Sequence, residues 1–538
     1  MKLENATSLE FPQAIAKARD VARIVVCFSD GDERAAQIVS AALLRSFSET
    51  QVAVAAAGEF GQLAPAALVW INPPESAAGE LARHLSLGSK VLVLGHVGPR
   101  IGELLGLEVK GALDWPADWG ACVLRDSTPF DVSPAAVRYL DAHPLAAASP
   151  YDFRPLCRFD FADEWNNLGY GRIVIGPSLW SIAVGAGQAG ATPLAIVAAP
   201  ENNTTLFATV HDAPNGSALW FNRPVGPVDS LEWRIVEAFF DEHRAGGLPC
   251  LASLAEVPGG YRAAACARLD CDEAVASAAE LFELYRSNGL PLSLALLTGQ
   301  SLQHDDFALL REVIASGGSV VSHSVRHEPN WGGSYERASQ EARESRDWIE
   351  RHLPEAAPGR HAVSPFHQNP QYAVQALADN GYEGFIGGSI ACDPEFLLGR
   401  AGRAPLVEQC MMSLSAQCMM HGDCFHRQGN AIDIYRQSFA AHLAAGGIFA
   451  YLDHPFSPRY QYGWHSEGER IAAHRDLIEH IGREPDIWWA SIEQVFEFLS
   501  ARDRAKVSSM GARLSVEYAA PASGVRLAIR WKGRQFVY

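Results

Sequence analysis

The sequence has no run of basic residues, and lysine is scarce: only six of its 44 lysine and arginine residues are lysines. Against 62 aspartates and glutamates, these 44 cations leave a formal net charge of −18. A chain with this balance repels phosphate backbones and anionic lipid surfaces. We therefore expect that neither nucleic acid nor a membrane surface is its main partner.

Long apolar runs and a compact set of cysteines are also lacking. The longest uncharged stretch, residues 173–200, contains four glycines and three prolines, which is typical of buried strands and turns and not of a membrane span. The amino-terminal residues show no charged segment followed by an apolar one, so no secretory signal is predicted. The ten cysteines are scattered and form no disulfide pattern. These absences predict a cytoplasmic protein without a membrane span.

The 538 residues are enough for roughly three domains of ~100–200 residues each. Residues 1–247 alternate continuous apolar runs with helical stretches, which predicts an α/β domain with a parallel sheet covered on both faces. Residues 260–500 repeat this alternation over the length of a (β/α) barrel, whose working groups lie at the carboxyl ends of strands. Residues 506–538 alternate apolar positions around one turn and predict a small β-hairpin appendix.

Two strand ends supply acidic and imidazole side chains. In the segment Arg268-Leu-Asp270-Cys-Asp272, side chains alternate along an extended strand, so the guanidinium and both carboxylates point the same way. His323 and His327 are four apart just beyond another strand, and a helical turn there would place them on one side. With Asp272 they form a two-histidine, one-carboxylate face that leaves positions for water and substrate.

A third strand end, Leu452-Asp453-His454, adds another imidazole. Together the three segments resemble the polysaccharide deacetylase, or NodB homology, family of carbohydrate esterases, whose His-Ser/Thr-x-x-His motif is matched in full by residues 323–327. The resemblance covers roughly residues 260–500. It implies a distorted (β/α)7 barrel, one divalent metal ion, usually Zn²⁺, and removal of acetyl groups from N-acetylated sugars.

The same resemblance implies a role for each matched residue. Asp270 corresponds to the general base, Asp272, His323 and His327 to the metal ligands, and His454 to the general acid. In such a site a metal ion acidifies a water molecule and the carboxylate accepts its proton during attack on the amide carbonyl.

The family's third motif, an arginine shortly before Pro-Tyr or Pro-Phe, is only partly present as Ser364-Pro365-Phe366. Arg268 is our candidate for the missing base-orienting arginine, and Asp453 or Asp423 could hold His454.

Aromatic residues also follow these motifs, and aromatic faces stack on sugar rings, although ordinary packing explains them equally well. The cysteine- and methionine-rich segment 410–426 is expected to be a loop over the pocket rather than a structural zinc site. The candidate substrate contacts or orienting groups are therefore Arg268, Trp331, Pro365, Phe366, His421, Asp453 and Trp464.

Residues 1–247 resemble, in the order of their elements, the flavodoxin-like fold of class-I glutamine amidotransferases. The strand over residues 91–95 is followed by His96, where a glutaminase would need a cysteine, so this domain is expected to be noncatalytic.

Taken together, these features predict a metal-dependent amide hydrolase that de-N-acetylates a sugar during synthesis of a surface polysaccharide. The alternatives are an inactive carbohydrate-binding or scaffold protein, and a deformylase or O-deacetylase on the same fold. The sequence leaves the oligomeric state open.

Overall fold

The computed structural model describes residues 23–56, 66–120, 134–154, 158–161, 164–167, 174–356, 359–387, 398–414, 417–422, 426, 432–511 and 513–538. These residues form an α/β structure with two large sheets, one in each half of the chain. The prediction of an α/β fold is confirmed. Asp423 lies outside the described residues. Within them, no helix is long and apolar enough to cross a bilayer.

The strands of the first half are β1 (Ile24–Phe28), β2 (Val52–Ala56), β3 (Ala67–Ile71), β4 (Lys90–Leu94), β5 (Leu107–Gly111), β6 (Ala136–Tyr139), β7 (Phe153–Arg154), β8 (Arg158–Phe161), β9 (Glu164–Asn167), β10 (Gly185–Gln188), β11 (Thr192–Ala198), β12 (Thr204–Asp212) and β13 (Ser217–Phe221). Its helices are α1 (Glu33–Leu44), α2 (Ala78–Ser86), α3 (Pro99–Leu104) and α4 (Arg234–Asp241).

The strands of the second half are β14 (Ser253–Leu254), β15 (Ala263–Cys271), β16 (Ser293–Leu296), β17 (Val320–Ser322), β18 (His361–Val363), β19 (Gly384–Ile386), β20 (Gly402–Arg403), β21 (Met412–Leu414), β22 (Gln417–Met419), β23 (Ile448–Asp453), β24 (Ile487–Trp489), β25 (Lys506–Met510), β26 (Arg513–Glu517), β27 (Ala528–Trp531) and β28 (Arg534–Val537). Its helices are α5 (Ala279–Ser287), α6 (His304–Ala315), α7 (Tyr335–His352), α8 (Gln371–Asp379), α9 (Asp433–Ala445), α10 (Glu467–Gly482) and α11 (Ile492–Asp503).

The first sheet has nine strands in the order β2-β1-β3-β4-β13-β12-β11-β6-β7. Its first five strands are parallel, and the remaining four continue the sheet antiparallel. Helix α1 packs its buried alanine, isoleucine and valine side chains on one face, and α2 and α3 cover the other. Both faces of the parallel part are therefore buried, which explains why its strands are apolar throughout. The antiparallel continuation was not part of the prediction.

The second sheet has ten strands and is curled into a half barrel. Strand β15 is its longest parallel member and pairs with β23 on one side and with β24 and then β16 on the other. Because strand side chains alternate, Ala264 and Cys266 pack with α11 on one face of the sheet, whereas Ala265, Ala267 and Leu269 pack against α5, α9 and α10 on the other. Arg268 and Asp270 continue the α11 face, so β15 carries them to its carboxyl end.

Part of the segment 410–426 differs from the prediction. Instead of forming one loop over the pocket, residues 412–414 and 417–419 are strands β21 and β22, which lie towards opposite edges of the second sheet. Their apolar side chains are buried, including Met412, Leu414 and Cys418. Burial of the methionine side chains in the sheet accounts for the apolar composition of these two strands.

The carboxyl-terminal region contains two hairpins, not one. The two segments expected to pair with each other, β26 and β27, instead pair with β25 and β28 respectively. Strand β27 also pairs with β14, and Leu254, Val507, Leu527 and Trp531 share a buried cluster. The turn between the predicted strands therefore connects two separate hairpins, because each strand finds a better partner elsewhere in the chain.

Candidate functional site

The candidate site begins at the carboxyl end of β15, where Arg268 and Asp270 form a buried ion pair. Nε of Arg268 lies 2.7 Å from Oδ1 of Asp270, and Nη2 lies 3.2 Å from Oδ2. Both side chains are only 2% exposed. Two parallel N–H···O bonds fix the plane of the carboxylate as well as its position. Arg268 thus fixes the orientation of the Asp270 carboxylate.

Asp272, His323 and His327 converge beside this pair. Oδ1 of Asp272 lies 3.1 Å from Nε2 of His323 and 3.5 Å from Nε2 of His327, and the two imidazole nitrogens are 3.1 Å apart. Donors that share one cation at about 2.0–2.2 Å lie roughly 2.8–3.6 Å from one another. The three atoms therefore form one face of a candidate coordination site, and within the described residues Oδ1 of Asp272 is buried and accepts no hydrogen bond of normal geometry. The donor set fits a divalent metal ion.

The histidine pair is not held by a helical turn, as the spacing predicted. Residues 323–328 form an irregular loop in which Ser324 (φ 68°) and His327 (φ 54°) adopt left-handed conformations. The buried carboxylate of Glu341 accepts the backbone N–H groups of Val325 and Arg326 at 2.8 and 3.0 Å. These bonds compensate for the absent helical hydrogen bonds, so the strained loop is stabilised from α7.

The imidazole of His323 is oriented by a backbone carbonyl. Its Nδ1 lies 3.0 Å from the oxygen of Val363 at the end of β18. A carbonyl oxygen can only accept, so Nδ1 carries a proton and Nε2 is the nitrogen that faces Asp272; the neutral form of this imidazole is therefore the Nδ1–H tautomer. A metal-binding histidine needs this tautomer.

The surroundings of each titratable group in the site shift its pKa and so set its protonation state. Burial alone would raise the pKa of Asp270, but the charges of Arg268 and His323 outweigh it and hold that pKa well below its usual range. For Asp272 burial is likewise outweighed by the adjacent imidazoles, chiefly that of His323, and the pKa falls to about 2. Burial, reinforced by the charge of His323, lowers the pKa of His327 to about 4. At neutral pH both carboxylates are ionised and His327 is neutral.

His454 extends the site from the end of β23. Its Nε2 lies 3.6 Å from Oδ2 of Asp272, and its ring stacks on that of Tyr462 at a centroid distance of 3.9 Å and an angle of 9°. The hydroxyl of Tyr462 lies 3.5 Å from the same carboxylate oxygen. Among the described residues, no hydrogen-bond partner reaches Nδ1 of His454.

Asp453 holds the backbone of His454 and not its imidazole. Oδ1 of Asp453 accepts the backbone N–H of His454 at 2.8 Å, and Oδ2 lies 3.0 Å from Nε2 of His474 on α10. Nδ1 of His474 in turn lies 3.0 Å from the hydroxyl of Tyr285. Arg470 donates to the carbonyl of His454 at 2.8 Å. Asp453 is fully buried, so it orients the acid candidate and does not face the pocket.

Ser364, Phe366 and His367 form another wall. Residues 365–367 make a short 3-10 turn in which Pro365 is buried and Phe366 has φ 51°, and the Phe366 ring lies 4.6 Å from that of His327. Oγ of Ser364 is buried, and no hydrogen-bond partner reaches it in the part of the chain that the structure describes. Burial, together with the charge of Arg268, lowers the pKa of His367 to about 3, so this imidazole is neutral.

These side chains enclose a cavity of about 380 Å³. Its lining contains Asp270, Asp272, His323, Arg326, His327, Ser364, Phe366, His367, His454, Tyr460 and Tyr462. The three segments separated in the sequence therefore meet in a single cavity at the carboxyl ends of β15, β17 and β23.

Three other predicted contacts lie away from this lining. Trp331 is buried in a cluster with helices α7 and α8, and Trp464 is buried in the core beneath α10. His421 is also buried, and its ring meets the edge of Tyr462 at 6.3 Å. The tryptophans followed the motifs in sequence, but packing turned their rings into the core. The two tryptophan rings support the loops of the site and, because they are buried, offer no face to a ligand.

His367, Tyr462 and Arg470 were not among the predicted site residues. His367 directly follows the Ser364-Pro365-Phe366 segment, so adjacency to a motif was the available signal for it. Tyr462 stands in the aromatic cluster after His454, where no pattern separates a lining ring from a packed one. Arg470 lies on the next helix, and nothing in the local sequence connects it with His454.

Comparison with known proteins gives neighbours at the level of structure only. No protein-family model and no curated protein matches the chain. The carbohydrate deacetylase Agd3 is 10% identical, with 95% of this chain and 93% of that chain covered and a TM-score of 0.37. A Mycobacterium smegmatis protein described as a polysaccharide deacetylase is 15% identical over 46% of this chain and 93% of its own, with a TM-score of 0.37.

A family 4 carbohydrate esterase from Streptomyces lividans is 12% identical over 43% of this chain and 92% of its own, with a TM-score of 0.29. The neighbouring structures thus include carbohydrate deacetylases and esterases. Because none of these TM-scores reaches 0.5, the function is inferred from the site itself.

Proposed function

We propose that this chain is a metal-dependent hydrolase that removes the acetyl group from an N-acetylated sugar. The observation that carries the proposal is the position of Asp270. Its carboxylate is fixed by Arg268, held ionised, and lines the same cavity as the donors Asp272, His323 and His327. A proton acceptor beside a candidate metal site, with an imidazole opposite, is the arrangement that amide hydrolysis requires.

A divalent cation, which we take to be Zn²⁺, would be held by Asp272, His323 and His327. When bound, it would acidify a water molecule and polarise the acyl carbonyl. The convergence of one oxygen and two nitrogen donors 3.1–3.5 Å apart, and the Nδ1–H tautomer that the Val363 carbonyl selects for neutral His323, support this assignment.

In this proposal Asp270 accepts a proton from the attacking water. Because its pKa is low, the Asp270 carboxylate is ionised at neutral pH. Its bidentate contact with Arg268 prevents rotation of the carboxylate. Arg268 is a positioning residue, because its guanidinium hydrogen-bonds to Asp270. The backbone N–H of Phe366 is our candidate for stabilising the developing oxyanion.

His454 donates a proton to the leaving amine. Its ring position is set by stacking on Tyr462 and by two hydrogen bonds to its backbone. Asp453 and Arg470 thus act as positioning residues. Ser364 and the neutral His367 offer uncharged hydrogen-bonding groups to hydroxyls or to the acyl group of the sugar.

An inactive carbohydrate-binding or scaffold protein would be expected to turn Asp270 away from the donors or to fill the cavity. The geometry of Asp270 favours catalysis over this alternative. We further propose that residues 1–247 form a noncatalytic flavodoxin-like domain, residues 260–500 the deacetylase barrel and residues 506–538 its appendix. Five parallel strands in the order β2-β1-β3-β4-β13 support the first of these assignments.

Acetate release from N-acetylated sugars tests the proposal. The metal-loaded full-length chain is incubated with monomeric, oligomeric and nucleotide-linked N-acetylhexosamines, and free acetate and free amine are measured. We expect both products in equal amounts. Asp270→Asn should retain the metal and lose at least 100-fold in rate, since general-base catalysis contributes about 10²–10⁴-fold.

Asp347→Asn, at an exposed position of α7, is the matched control and should leave the rate unchanged. No acetate from the N-acetylated sugars, with formate released from an N-formylated sugar or acetate from an O-acetylated one, would assign a deformylase or an O-deacetylase. An Asp270→Asn variant as active as the unaltered chain would reject the proposed mechanism.

A further inference from the structure

The loop that carries the two histidine donors has an unfavourable backbone conformation. It follows β17 and runs from His323 to His327, and we call residues 323–327 the ligand loop. Two of its residues, Ser324 and His327, have left-handed φ angles of 68° and 54°. Residues other than glycine keep such conformations only where the surrounding structure imposes them, and these cases are concentrated at functional sites. The ligand loop therefore depends on its neighbours.

One side of the ligand loop is held by the residues that follow β16. Thr298 donates its backbone N–H and its hydroxyl to the carbonyl of Ser324 at 3.0 and 3.1 Å, and Gly299 donates its backbone N–H to the carbonyl of Val325 at 3.1 Å. A Cβ at Gly299 would lie 2.2 Å from the Val325 oxygen, so only glycine permits this approach. These bonds engage carbonyl groups of the loop, and its N–H groups need acceptors elsewhere.

The carboxylate of Glu341 on α7 satisfies two of these N–H groups. Its Oε2 accepts the backbone N–H of Val325 at 2.8 Å and that of Arg326 at 3.0 Å. Its Oε1 is paired with the guanidinium of Arg326. Glu341 is 0% exposed. Because both of its oxygens are engaged in charge-assisted bonds, this side chain is a rigid support for the ligand loop.

Helix α7 reaches the ligand loop at a second point. Oγ of Ser345, one turn after Glu341, lies 2.7 Å from Oγ of Ser322, which accepts the backbone N–H of Ser324 at 3.2 Å. Oγ of Ser324 in turn accepts the backbone N–H of His327 at 3.0 Å. Residues four apart on a helix share a face, so a single face of α7 supports the loop.

The two histidines do not depend on α7 equally. His323 is attached to the sheet, because it donates its backbone N–H to Leu296 at 2.9 Å and its Nδ1 lies 3.0 Å from the carbonyl of Val363. His327 comes directly after the two residues that Glu341 holds. The two Nε2 atoms are 3.1 Å apart, and we expect this separation to depend on Glu341.

A carboxylate suits position 341 better than an amide. The partners of Glu341 in the ligand loop are all donors, namely two backbone N–H groups and the guanidinium of Arg326. A glutamine has one acceptor oxygen and one NH2 group, so it would turn a donor towards a donor on one of its two sides. An amide at this position would thus remove part of the support and leave the size of the side chain nearly unchanged.

We propose that Glu341 is a positioning residue that sets the affinity of the site for a divalent cation by holding His327 beside His323 and Asp272. This inference rests on the proposed function for the presence of a metal ion. Groups that orient metal ligands without touching the ion typically contribute about 10- to 100-fold to metal affinity or activity. Because the ligand loop is already ordered, a cation binds to it without the entropy cost of ordering the loop.

Zn²⁺ affinity, measured on the full-length chain, tests this role without requiring turnover. Metal is removed from the protein, and Zn²⁺ is titrated in competition with a chromogenic chelator. We expect Glu341→Gln to raise the Kd for Zn²⁺ by about 10- to 100-fold. Glu344→Gln is the matched control, because Glu344 pairs with the same Arg326 at 3.0 Å but, among the described residues, accepts no backbone N–H of the ligand loop. Its Kd should equal that of the unaltered chain.

Two further measurements distinguish positioning from a loss of folding. Thermal unfolding of the metal-free proteins shows whether Glu341→Gln folds, and the visible absorption of the Co²⁺-loaded proteins reports the geometry of the donors. We expect Glu341→Gln to change the Co²⁺ spectrum and Glu344→Gln to preserve it. If Glu341→Gln does not fold, Glu341→Asp, which keeps the charge beside Arg326 but withdraws the oxygens by one methylene, should show the rise in Kd and the spectral change.

Three results would overturn the inference. The first is an unchanged Kd in the folded Glu341 variant, and the second is an equal rise in Kd for Glu344→Gln. The third is a weaker affinity with an unchanged Co²⁺ spectrum, because the donors would then have kept their geometry without Glu341.

Acetate release in the same samples separates this inference from the proposed function. A rise in Kd confined to the Glu341 variants, with no acetate from any N-acetylated sugar, supports the positioning role and rejects the deacetylase function. Acetate released by the unaltered chain, with the same Kd for Zn²⁺ in Glu341→Gln, keeps the deacetylase function and rejects the positioning role.

Discussion

Arg470 donates a hydrogen bond from Nη1 to the backbone carbonyl of His454, at 2.8 Å. The same guanidinium lies 3.5 Å from Asp453, which accepts the backbone N–H of His454. A fully buried ion pair thus clamps both polar backbone groups of the candidate acid. The orientation of the imidazole is thus set by hydrogen bonds to the main chain of His454 and by stacking of the ring on Tyr462.

Removing the hydrogen bond from Arg470 to the backbone of His454 should slow the reaction with little effect on substrate binding. In Arg470→Met the backbone of His454 loses its carbonyl partner, and a displacement of about 1 Å at a reacting group costs on the order of 100-fold in rate. We expect kcat to fall by about 10- to 100-fold and KM to change less than about threefold. Steady-state kinetics on an N-acetylated oligosaccharide measures both.

Arg470→Lys keeps the charge beside Asp453 and should recover part of the rate, and Arg475→Met on the exposed face of α10 is the control. Thermal unfolding of all three variants checks that they fold. A rise in KM with unchanged kcat would show that Arg470 shapes the binding site and does not position the acid.

Removal of a metal donor should abolish one equivalent of bound metal. Asp272→Asn replaces a charged oxygen donor by an amide in the face formed with His323 and His327. We expect elemental analysis after dialysis against Zn²⁺ to give one equivalent less than for the unaltered chain, and Zn²⁺ to raise the unfolding temperature of the unaltered chain but not that of Asp272→Asn. Asp347→Asn should keep full occupancy. Equal metal content in the two variants would place the ion elsewhere.

The two parallel hydrogen bonds of Arg268 should matter more for the reaction rate than its positive charge. Arg268→Lys keeps a cation beside Asp270 but loses the second parallel hydrogen bond, and a lysine does not replace a bidentate arginine. We expect a folded, metal-binding protein whose kcat is lower by about 10-fold or more. Arg268→Ala, which leaves a buried carboxylate unpaired, should instead lower the free energy of unfolding by about 3–5 kcal/mol. Arg268→Lys with full activity would remove Arg268 from base orientation.

A histidine remote from the site should make stability depend on pH. His442 on α9 is buried, its Nδ1 lies 2.7 Å from the carbonyl of Ser438, and its Nε2 has no hydrogen-bond partner among the described residues. Burial lowers its pKa from 6.5 to about 4. The unfolded chain therefore takes up a proton first as pH falls, and the free energy of unfolding should decline between these two values, by about 3 kcal/mol in all.

Denaturant unfolding at pH values from 7 to 4 measures this slope. His442→Gln removes the titrating group and should flatten the curve in this window, whereas His304→Gln, at an exposed residue of α6, should not. An unchanged slope in His442→Gln would mean that other groups cause the loss of stability in acid.

Much of the candidate site could be predicted because its key spacings are local. Alternation along one strand brings Arg268 and Asp270 to the same face, and this needs nothing beyond an extended backbone. The helical turn expected at His323 and His327 was wrong, although the two nitrogens still meet. Their approach depends on a left-handed loop stabilised by Glu341, which is fourteen or more positions away in sequence and belongs to another element.

Aromatic residues show where local patterns end. Tyr462 and Trp464 are two positions apart after His454, yet one ring stacks on the imidazole and the other is buried in the core. Their sequence context is the same, so only the packing of α10 and the neighbouring strands decides which ring faces the cavity. Pairing of the last strands failed for a related reason, since β27 found partners in β14 and β28 that its flanking turn did not indicate.

By itself the sequence determined the α/β alternation and the strand-end positions of the candidate carboxylates and histidines, because strand and helix periodicities are properties of neighbouring residues. Tertiary structure alone decided that Arg470 clamps His454, that His367 is neutral and lines the cavity, and that Tyr460 rather than Trp331 or Trp464 offers an exposed ring. These features arise from contacts between distant segments, and burial, which sets both ring exposure and pKa, exists only once those segments have packed together.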